Sequence, residues 1–199
     1  MSLPDADAAL DLPQHAAILL AAGASTRLGR AKQLVRIEGE TLLRRAARAL
    51  LATVPRELIV VLGHDAERMR ATLDGLVLRT IVAANHASGL SASLRAGTAV
   101  LDVRCTGALI ALTDQPGLDA AHLLALRDAW RPAPARAVAS AYAGVLGVPA
   151  LLPRAWFEDV AALSGDIGAR ELLRARANDV VAVAAPMLER DIDLPTDLR

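Results

Sequence analysis

Glycines and cationic side chains follow an apolar run near the start of the chain. The run Ala16–Ala22 ends at Gly23. The polar loop that follows carries Ser25, Arg27, Gly29 and Lys32. Glycine lets backbone N–H groups approach phosphate oxygens closely, and Arg and Lys side chains neutralise the phosphate charge. The segment therefore predicts a loop that binds a polyphosphate.

Two common phosphate-binding loops do not fit this segment. A P-loop requires Gly-Lys-Ser or Gly-Lys-Thr, whereas Lys32 lies between Ala31 and Gln33. A dinucleotide fingerprint requires three glycines as G-x-G-x-x-G, but position 25 is Ser. An ordinary basic turn between a strand and a helix remains the alternative interpretation.

Acidic residues at two further places could hold a metal ion. Asp114 follows Thr113 and the apolar run Gly107–Leu112, so we expect it at a strand tip rather than on a helix face. Asp191 and Asp193 belong to a late Asp-Ile-Asp segment, and alternation along a strand would put both on one side. Mg²⁺ bound to a nucleotide is usually held by one or two carboxylates, phosphate oxygens and water. Asp114 is therefore the first candidate ligand, with a simple turn residue as its alternative role.

The segments between these residues predict alternating strands and helices. Apolar runs predict strands, and apolar residues at helical spacing predict helices. The predicted strands are Ala16–Ala22, Glu57–Leu62, Val77–Ala83, Gly107–Leu112, Ala137–Ala141, Val148–Leu152 and Val180–Ala184. The predicted helices are Thr41–Thr53, Asp65–Leu73, Ser91–Leu101, Ala120–Trp130, Ala155–Leu163 and Ala169–Ala177. This alternation predicts one three-layer α/β/α, Rossmann-like domain with a mostly parallel sheet.

The polar segments of interest follow predicted strands. Ligands of open α/β sheets bind outside the carboxyl ends of the strands. The segments that follow strands are 23–32, 85–93, 113–116 and 191–193. We therefore expect these four segments to converge on one edge of the sheet and to form one site.

Composition limits the partners and the compartment. The 22 cationic and 22 acidic side chains balance, which gives no reason to expect a nucleic-acid or membrane partner. The single Cys105 cannot form an internal disulfide and is typical of a cytoplasmic protein. Residues 1–15 are acidic and lack a basic amino-terminal region, so we expect a flexible leader there and the domain at 16–199.

The pattern L-A-A-G-x-S-x-R-x-G-x-x-K at residues 20–32 resembles the signature loop of the nucleotidyltransferases that activate sugars, polyols and molybdopterin. The resemblance implies the fold of the nucleotide-diphospho-sugar transferases. It also implies transfer of a nucleoside monophosphate from an NTP to a phosphate-bearing acceptor, with release of pyrophosphate. The residues that it assigns to the nucleotide in this part of the chain are Leu20, Ala21, Ala22, Gly23, Ser25, Arg27 and Lys32.

Further segments resemble the same family. Residues 85–97 match N-x-x-x-G-[LM]-x-x-S-L-x-x-G, which implies base recognition by Asn85, Ser91 and Ser93. Helix capping explains Ser91 equally well. The family also has an Asp at the strand end that matches Asp114 and an Asp in a late D-I-D-x-P segment. The resemblance thus implies a Mg²⁺ site at Asp114 and Asp193, and the choice of Asp193 over Asp191 rests on it alone.

The strand-end residues next to Asp114 acquire roles in the same way. Thr113 is assigned to the nucleotide and Gln115 to the acceptor. The catalytic residues that the resemblance implies are Arg27, Lys32 and Asp114.

Two segments concern the acceptor. Residues 165–170 match G-D-x-G-A-R of the molybdopterin branch, which implies acceptor contacts from Gly165, Asp166 and Arg170. Capping of the following helix by Asp166 is the alternative. Relatives typically have R-G-H-P where this chain has Leu-Gly-Val-Pro at 146–149. Gly147 and Pro149 preserve the backbone shape, but two polar contacts to the acceptor are absent.

Differences between this chain and some members of the family indicate which nucleotide and which acceptor it uses. Relatives that transfer GMP tend to read L-A-G-G and G-P-L-A-G, whereas this chain reads L-A-A-G at 20–23 and G-L-S-A-S-L at 89–94. Both differences resemble the molybdenum cofactor cytidylyltransferases, which implies CTP, Mo-molybdopterin, Mg²⁺ and a molybdoenzyme that receives the product. Two alternatives remain open: a sugar phosphate or other small phosphate as acceptor, and a non-catalytic carrier of the finished cofactor.

Overall fold

A computed structural model describes residues 13–23, 31–84 and 89–189. The strands in these ranges are β1 (His15–Ala21), β2 (Arg36–Ile37), β3 (Glu40–Thr41), β4 (Leu58–Leu62), β5 (Arg79–Val82), β6 (Gly107–Leu112), β7 (Ala137–Tyr142), β8 (Val145–Pro153) and β9 (Val180–Ala184). The helices are α1 (Leu42–Leu51), α2 (Ala66–Thr72), α3 (Leu90–Ala99), α4 (Ala120–Trp130), α5 (Phe157–Ala162) and α6 (Ala169–Ala175). None of these helices is long and apolar enough to cross a membrane.

Seven strands form one sheet in the order β5-β4-β1-β6-β8-β7-β9. β1 pairs in parallel with β4 and β6, β4 pairs in parallel with β5, and β7 pairs in parallel with β9. β8 pairs antiparallel with both β6 and β7, so it is the one strand of this sheet that runs against the others. The predicted α/β class with a mostly parallel sheet is confirmed.

The core has two layers, one on each face of the sheet, because successive side chains of a strand point to opposite faces. In β1, Ala17 and Leu19 pack with residues of α1, α2 and α4. Ile18 and Leu20 pack on the other face with residues of α3 and α6. Every residue of β1 is buried, as expected of a central parallel strand. Full burial of one large aliphatic side chain contributes roughly 1.5–3 kcal/mol, so this strand anchors both layers.

The sequence analysis missed a small hairpin between the first loop and α1. β2 and β3 have only two residues each and pair antiparallel. Glu38 and Gly39 join them with φ values of 53° and 82°, as a type I′ turn requires. Strands this short show no alternation of polar and apolar residues. α1 then begins at Leu42 because the Thr41 hydroxyl caps it, accepting a 3.3 Å hydrogen bond from the Arg44 N–H.

The reversed direction of β8 brings its first residues to the same edge as the last residues of its neighbours. Ile110, near the end of β6, pairs with Ala150. The segment 145–149 therefore lies beyond the carboxyl end of β6, where the ends of β1 and β7 also lie. Gly147 and Pro149 belong to this segment, and the Val148–Pro149 peptide bond is cis.

Candidate active site

Lys32 and Asp114 lie together at the carboxyl edge of the sheet, although 82 residues separate them in the chain. Lys32 Nζ is 3.5 Å from Asp114 Oδ2, and the two side chains are 14% and 30% exposed. Lys32 begins a 3₁₀ turn after β1, and Asp114 follows β6. Because β1 and β6 are neighbours in the sheet, the loops that follow them meet. The structure thus brings together the predicted phosphate-binding cation and the predicted metal ligand.

The second carboxylate oxygen of Asp114 supports its predicted role. Oδ1 is buried and has no hydrogen-bond partner among the described residues. A buried oxygen without a partner costs free energy, and a bound cation would remove that cost. Divalent ions such as Mg²⁺ prefer carboxylate oxygens, so Asp114 fits a divalent ion. Within the described ranges, no group of three or more His, Cys, Asp or Glu residues could hold a metal ion.

The amino-acid composition of the chain also distinguishes Lys32 from the other cationic residues. It is the single lysine among the 22 cationic side chains of the sequence, and all the others are arginines. An ammonium is a compact point charge on a flexible stem, whereas a guanidinium is a planar fork, so the two are not interchangeable. A lone lysine in an arginine-rich chain is a sequence signal that the motif analysis did not use.

Gln33 is a residue of the site to which the sequence analysis gave no role. Its side chain is buried, and Nε2 donates to the carbonyl oxygens of Ala21 at 3.0 Å and Gly23 at 2.9 Å. Ala21 ends β1, and Gly23 is the first residue of the predicted phosphate-binding loop. Gln33 therefore fixes the backbone where the strand passes into the loop. Leu20 and Ala22 are also buried, whereas Gly23 is exposed.

Ser91 joins the start of α3 to the predicted acceptor loop. The Ser91 hydroxyl donates to the Gly165 carbonyl oxygen at 2.8 Å, and the Ser91 N–H reaches the same oxygen at 3.3 Å. The N-cap residue of α3 is Gly89, which has no side chain to cap the helix, and Ser91 lies inside the first turn. The capping role considered for Ser91 is therefore wrong. Ser93 is buried in the same first turn.

The predicted acceptor loop passes close to Gly89. Gly89 has a φ of 99°, and a Cβ atom there would lie 2.4 Å from the Gly165 carbonyl oxygen and 2.6 Å from Asp166 Oδ1. Capping by Asp166, the alternative role for that residue, is wrong. α6 begins after Gly168, and the Gly168 N–H donates to Glu171 Oε2 at 3.1 Å. Asp166 and Arg170 are both exposed.

Gln115 braces the first residues of β8. Its Nε2 donates to the Val148 carbonyl oxygen at 3.0 Å, and the Tyr142 hydroxyl donates to the same oxygen at 3.0 Å. Gly147 is needed here because a Cβ atom would lie 2.6 Å from the Tyr142 hydroxyl oxygen. Gln115 Oε1 is buried without a hydrogen-bond partner among the described residues. Gln115 therefore holds the backbone of the predicted acceptor-side segment through its amide nitrogen.

A buried network holds Pro149, the last residue of this segment. The Ser140 hydroxyl donates to the Pro149 carbonyl oxygen at 2.6 Å and lies 2.8 Å from His122 Nε2. Because the hydroxyl hydrogen is used on Pro149, His122 Nε2 must carry the proton that is shared with Ser140. Desolvation by burial lowers the pKa of His122, which favours this neutral imidazole.

Several predicted residues lie outside the described ranges. These are Ser25 and Arg27 of the first loop, Asn85, and the metal candidate Asp193. Their roles stay predictions. Thr113 is described and buried between β6 and Asp114.

Comparison with known protein sequences identifies related proteins. The domain family described as MobA-like NTP transferase matches residues 17–180. The chain is 35% identical over 175 residues to nicotine blue oxidoreductase from Paenarthrobacter nicotinovorans, covering 83% of this chain and 84% of that protein. It is 34% identical over 116 residues to a probable molybdenum cofactor guanylyltransferase from Opitutus terrae, covering 58% of this chain and 55% of that protein.

Comparison with solved structures identifies the same architecture. Rv0371c from Mycobacterium tuberculosis H37Rv superimposes with a TM-score of 0.82 and 29% identity, covering 94% of this chain and 96% of that chain. A structure of Rv0371c in complex with manganese superimposes with a TM-score of 0.77 and 27% identity, covering 92% and 95% of the two chains. The fold therefore occurs in a relative that binds a divalent metal.

Proposed function

The chain belongs to the MobA-like NTP transferase domain family, and we propose that it moves CMP from CTP onto Mo-molybdopterin with release of pyrophosphate. The observation that carries this proposal is the contact of Lys32 with Asp114, whose Oδ1 is left without a partner among the described residues. A cation for phosphate and a carboxylate for a metal ion meet at the sheet edge where α/β folds bind ligands.

The proposed chemistry is a phosphoryl-type transfer without a covalent enzyme intermediate. An oxygen of the acceptor phosphate attacks the α-phosphorus of CTP. The bond from that phosphorus to the oxygen that bridges the α- and β-phosphates breaks, and pyrophosphate leaves with the electron pair. Both reactants are anions, so the protein must hold them together and stabilise the developing charge.

The site residues have distinct roles in this reaction. Lys32 and Arg27 bind the triphosphate, and Lys32 neutralises the pyrophosphate as it leaves. Asp114 and Asp193 would hold the divalent ion, which would supply positive charge to neutralise the phosphates of the reactants. The manganese complex of Rv0371c supports a divalent ion, and Mg²⁺ is the ion that we propose.

The acceptor assignment has separate support. The relative from Opitutus terrae is named a probable molybdenum cofactor guanylyltransferase, and this name supports a molybdopterin-type acceptor. On the acceptor side, exposed Asp166 and Arg170 are available to a ligand, and the segment with Gly147 and Pro149 lies at the same edge of the sheet as Asp114. The choice of CTP over GTP rests on Ala22 and on the residues after Gly89.

Pyrophosphate release tests the proposal. The wild-type protein is incubated with Mg²⁺, Mo-molybdopterin and each of CTP, GTP, ATP and UTP in turn. We expect release that is selective for CTP and absent in the Asp114→Asn variant. Selective release with GTP would correct the nucleotide. Metal-dependent CTP binding without release would favour a sugar phosphate or another small phosphate as acceptor, and failure to bind any NTP would favour a non-catalytic carrier.

A second candidate function is an oxidoreductase. It is favoured by the 35% identity with nicotine blue oxidoreductase, which extends over 83% of this chain. Such a reaction requires an electron donor, and NADH and NADPH are the donors that we would test. Reduction of nicotine blue by NADH or NADPH, with neither NTP nor metal present, would support this candidate. The same assay with Asp114→Asn separates the functions, because the removal of a metal ligand should abolish nucleotidyl transfer alone.

A further inference from the structure

We infer that Gln33 is a positioning residue that fixes the backbone of Ala21 and Gly23, where β1 passes into the predicted phosphate-binding loop, for binding of the nucleotide. The inference rests on the proposed nucleotide-dependent function. It concerns a residue that contributes to the site through the backbone of Ala21 and Gly23 rather than through its own charge.

The geometry of Gln33 leaves its amide group one orientation. Its side chain is 3% exposed, and Nε2 lies within hydrogen-bond distance of two carbonyl oxygens. Two carbonyl oxygens require two donors, so the amide nitrogen and not the oxygen must face them. Both N–H bonds of the side chain are therefore used on the start of the loop.

These two hydrogen bonds also determine where a backbone donor points. The peptide group is planar and trans, so its C=O and N–H bonds point in opposite directions. Because the Ala21 carbonyl faces Gln33, the N–H of Ala22 in the same peptide group points away from Gln33. Ala22 follows β1 directly at the edge where Lys32 meets Asp114. Gln33 thus holds this N–H in place as a donor for the nucleotide.

The position of Gln33 in the chain links its two hydrogen bonds to the position of Lys32. Gln33 follows Lys32 in the same 3₁₀ turn. One turn therefore carries the charge that contacts Asp114 and the amide that holds the beginning of the loop. Loss of the amide should shift residues 21–23 relative to Lys32, and nucleotide binding should weaken even when the domain remains folded.

The first test compares Gln33→Leu with a control that loses a buried hydrogen bond elsewhere. The control is Thr53→Val, because the Thr53 hydroxyl is buried, contacts His15 Nε2 at 2.8 Å and donates to the Leu50 carbonyl oxygen at 2.7 Å. His15 begins β1, so this contact lies at the opposite edge of the sheet. Calorimetry measures the dissociation constant of each of the four Mg²⁺–NTP complexes, and thermal unfolding measures stability.

We expect Gln33→Leu to weaken binding of the preferred Mg²⁺–NTP by about tenfold or more. Thr53→Val should lower the unfolding temperature while its binding stays at the wild-type value. Equal binding by the wild type and by Gln33→Leu overturns the inference alone. Absence of NTP binding by the wild type overturns the proposed function and this inference with it.

The second test replaces Gln33 with a titratable residue. A merely structural role of Gln33 would not make nucleotide binding by this variant depend on pH. In Gln33→Glu, an ionised carboxylate can only accept hydrogen bonds and would repel the two carbonyl oxygens. A protonated carboxyl group can donate one hydrogen bond. The ratio of the dissociation constants of Gln33→Glu and the wild type should therefore fall as the pH is lowered from about 8 to about 5. A ratio that does not change with pH overturns the inference.

Discussion

The hydroxyl of Ser91 donates a 2.8 Å hydrogen bond to the carbonyl oxygen of Gly165 and so joins the first turn of α3 to the loop before α6. The two segments are 74 residues apart in the chain. In the proposed reaction, α3 lies on the nucleotide side and the loop on the acceptor side. The contact therefore fixes the relative position of the two substrate-binding segments.

Gly89→Ala should be more destabilising than Gly75→Ala. Both glycines have positive φ values, 99° and 81°, so an alanine at either position is strained. A Cβ atom at Gly75 would meet nothing within 4 Å, whereas one at Gly89 would lie 2.4 Å from the Gly165 carbonyl oxygen. We expect about 1–2 kcal/mol lost for Gly75→Ala and a further 1–3 kcal/mol for Gly89→Ala, measured by urea unfolding. Equal losses of unfolding free energy in the two variants would mean that the loop with Gly165 moves away from the new Cβ atom at no energetic cost.

Lys32 can be tested chemically because it is the one lysine in the sequence. An amine-reactive reagent should label Lys32, and Mg²⁺–CTP should protect it, as measured by mass spectrometry of the labelled peptide. The Lys32→Arg protein gives the background from other amines. Labelling that Mg²⁺–CTP leaves unchanged would contradict contact between Lys32 and the triphosphate.

Turnover of Lys32 variants should fall without loss of the fold. Lys32→Ala removes the charge that neutralises the leaving pyrophosphate, so we expect turnover to drop by about a hundredfold or more. Lys32→Arg should retain NTP binding but turn over slowly, because a planar fork replaces a point charge. Pyrophosphate release and thermal unfolding measure the two effects, and normal turnover of Lys32→Ala would exclude the proposed role.

Gln115→Leu should affect the acceptor more than the nucleotide. The change removes the 3.0 Å hydrogen bond from Gln115 Nε2 to the Val148 carbonyl oxygen. Tyr142→Phe removes the other hydrogen bond to that oxygen and serves as the matched variant. We expect both to raise the KM for the acceptor several-fold while the KM for the NTP changes by less than about twofold. A rise in both KM values would indicate a general loss of structure.

His15 should make folding stability depend on pH. Desolvation by burial, with the positive charges of Arg127 and Arg131, lowers the pKa of His15 from 6.5 to about 4. The unfolded chain therefore binds more protons between these values, and the stability from neutral His15 is present above pH 6.5 and lost as the pH falls to about 4. The shift corresponds to about 3 kcal/mol.

The measurement is urea unfolding of the wild type and of His15→Gln at pH 7, 5.5 and 4. Carboxylates titrate in both proteins, so the difference between the two isolates the imidazole. We expect the free energy of unfolding of the wild type to fall more steeply with decreasing pH than that of His15→Gln. Parallel curves would show that His15 titrates at its ordinary pKa in the folded protein.

The elements with strong local signals were predictable from the sequence. β6, α4 and β9 have the predicted bounds. α4 begins where expected because Asp119 caps it, accepting a 2.8 Å hydrogen bond from the His122 N–H. β8 was predicted at Val148–Leu152 but spans Val145–Pro153, since a two-residue turn of Ala143 and Gly144, both at positive φ, joins it to β7. An Ala-Gly pair is a weak turn signal, so the hairpin and the reversal of β8 were not visible.

The charged members of the site were predictable, and the amides that brace it were only partly so. Lys32 and Asp114 belong to a motif and to a strand end, which are local patterns. Gln33 and Gln115 act through backbone carbonyls that the fold brings to them. No sequence spacing specifies such a partner, so Gln33 received no role and Gln115 was assigned to the acceptor itself.

The reversal of β8 places the segment predicted to bind the acceptor on a different element from the loop predicted to bind the nucleotide. The hairpin of β7 and β8 carries the predicted acceptor-side segment, whereas the loop after β1 carries the predicted nucleotide-side residues. Residues 145–149 could therefore be replaced by the matching segment of a homologue. Gln115 and Tyr142 would be kept, because they hydrogen-bond to the backbone of this segment. Acceptor selectivity could then diversify while the triphosphate chemistry stayed unchanged.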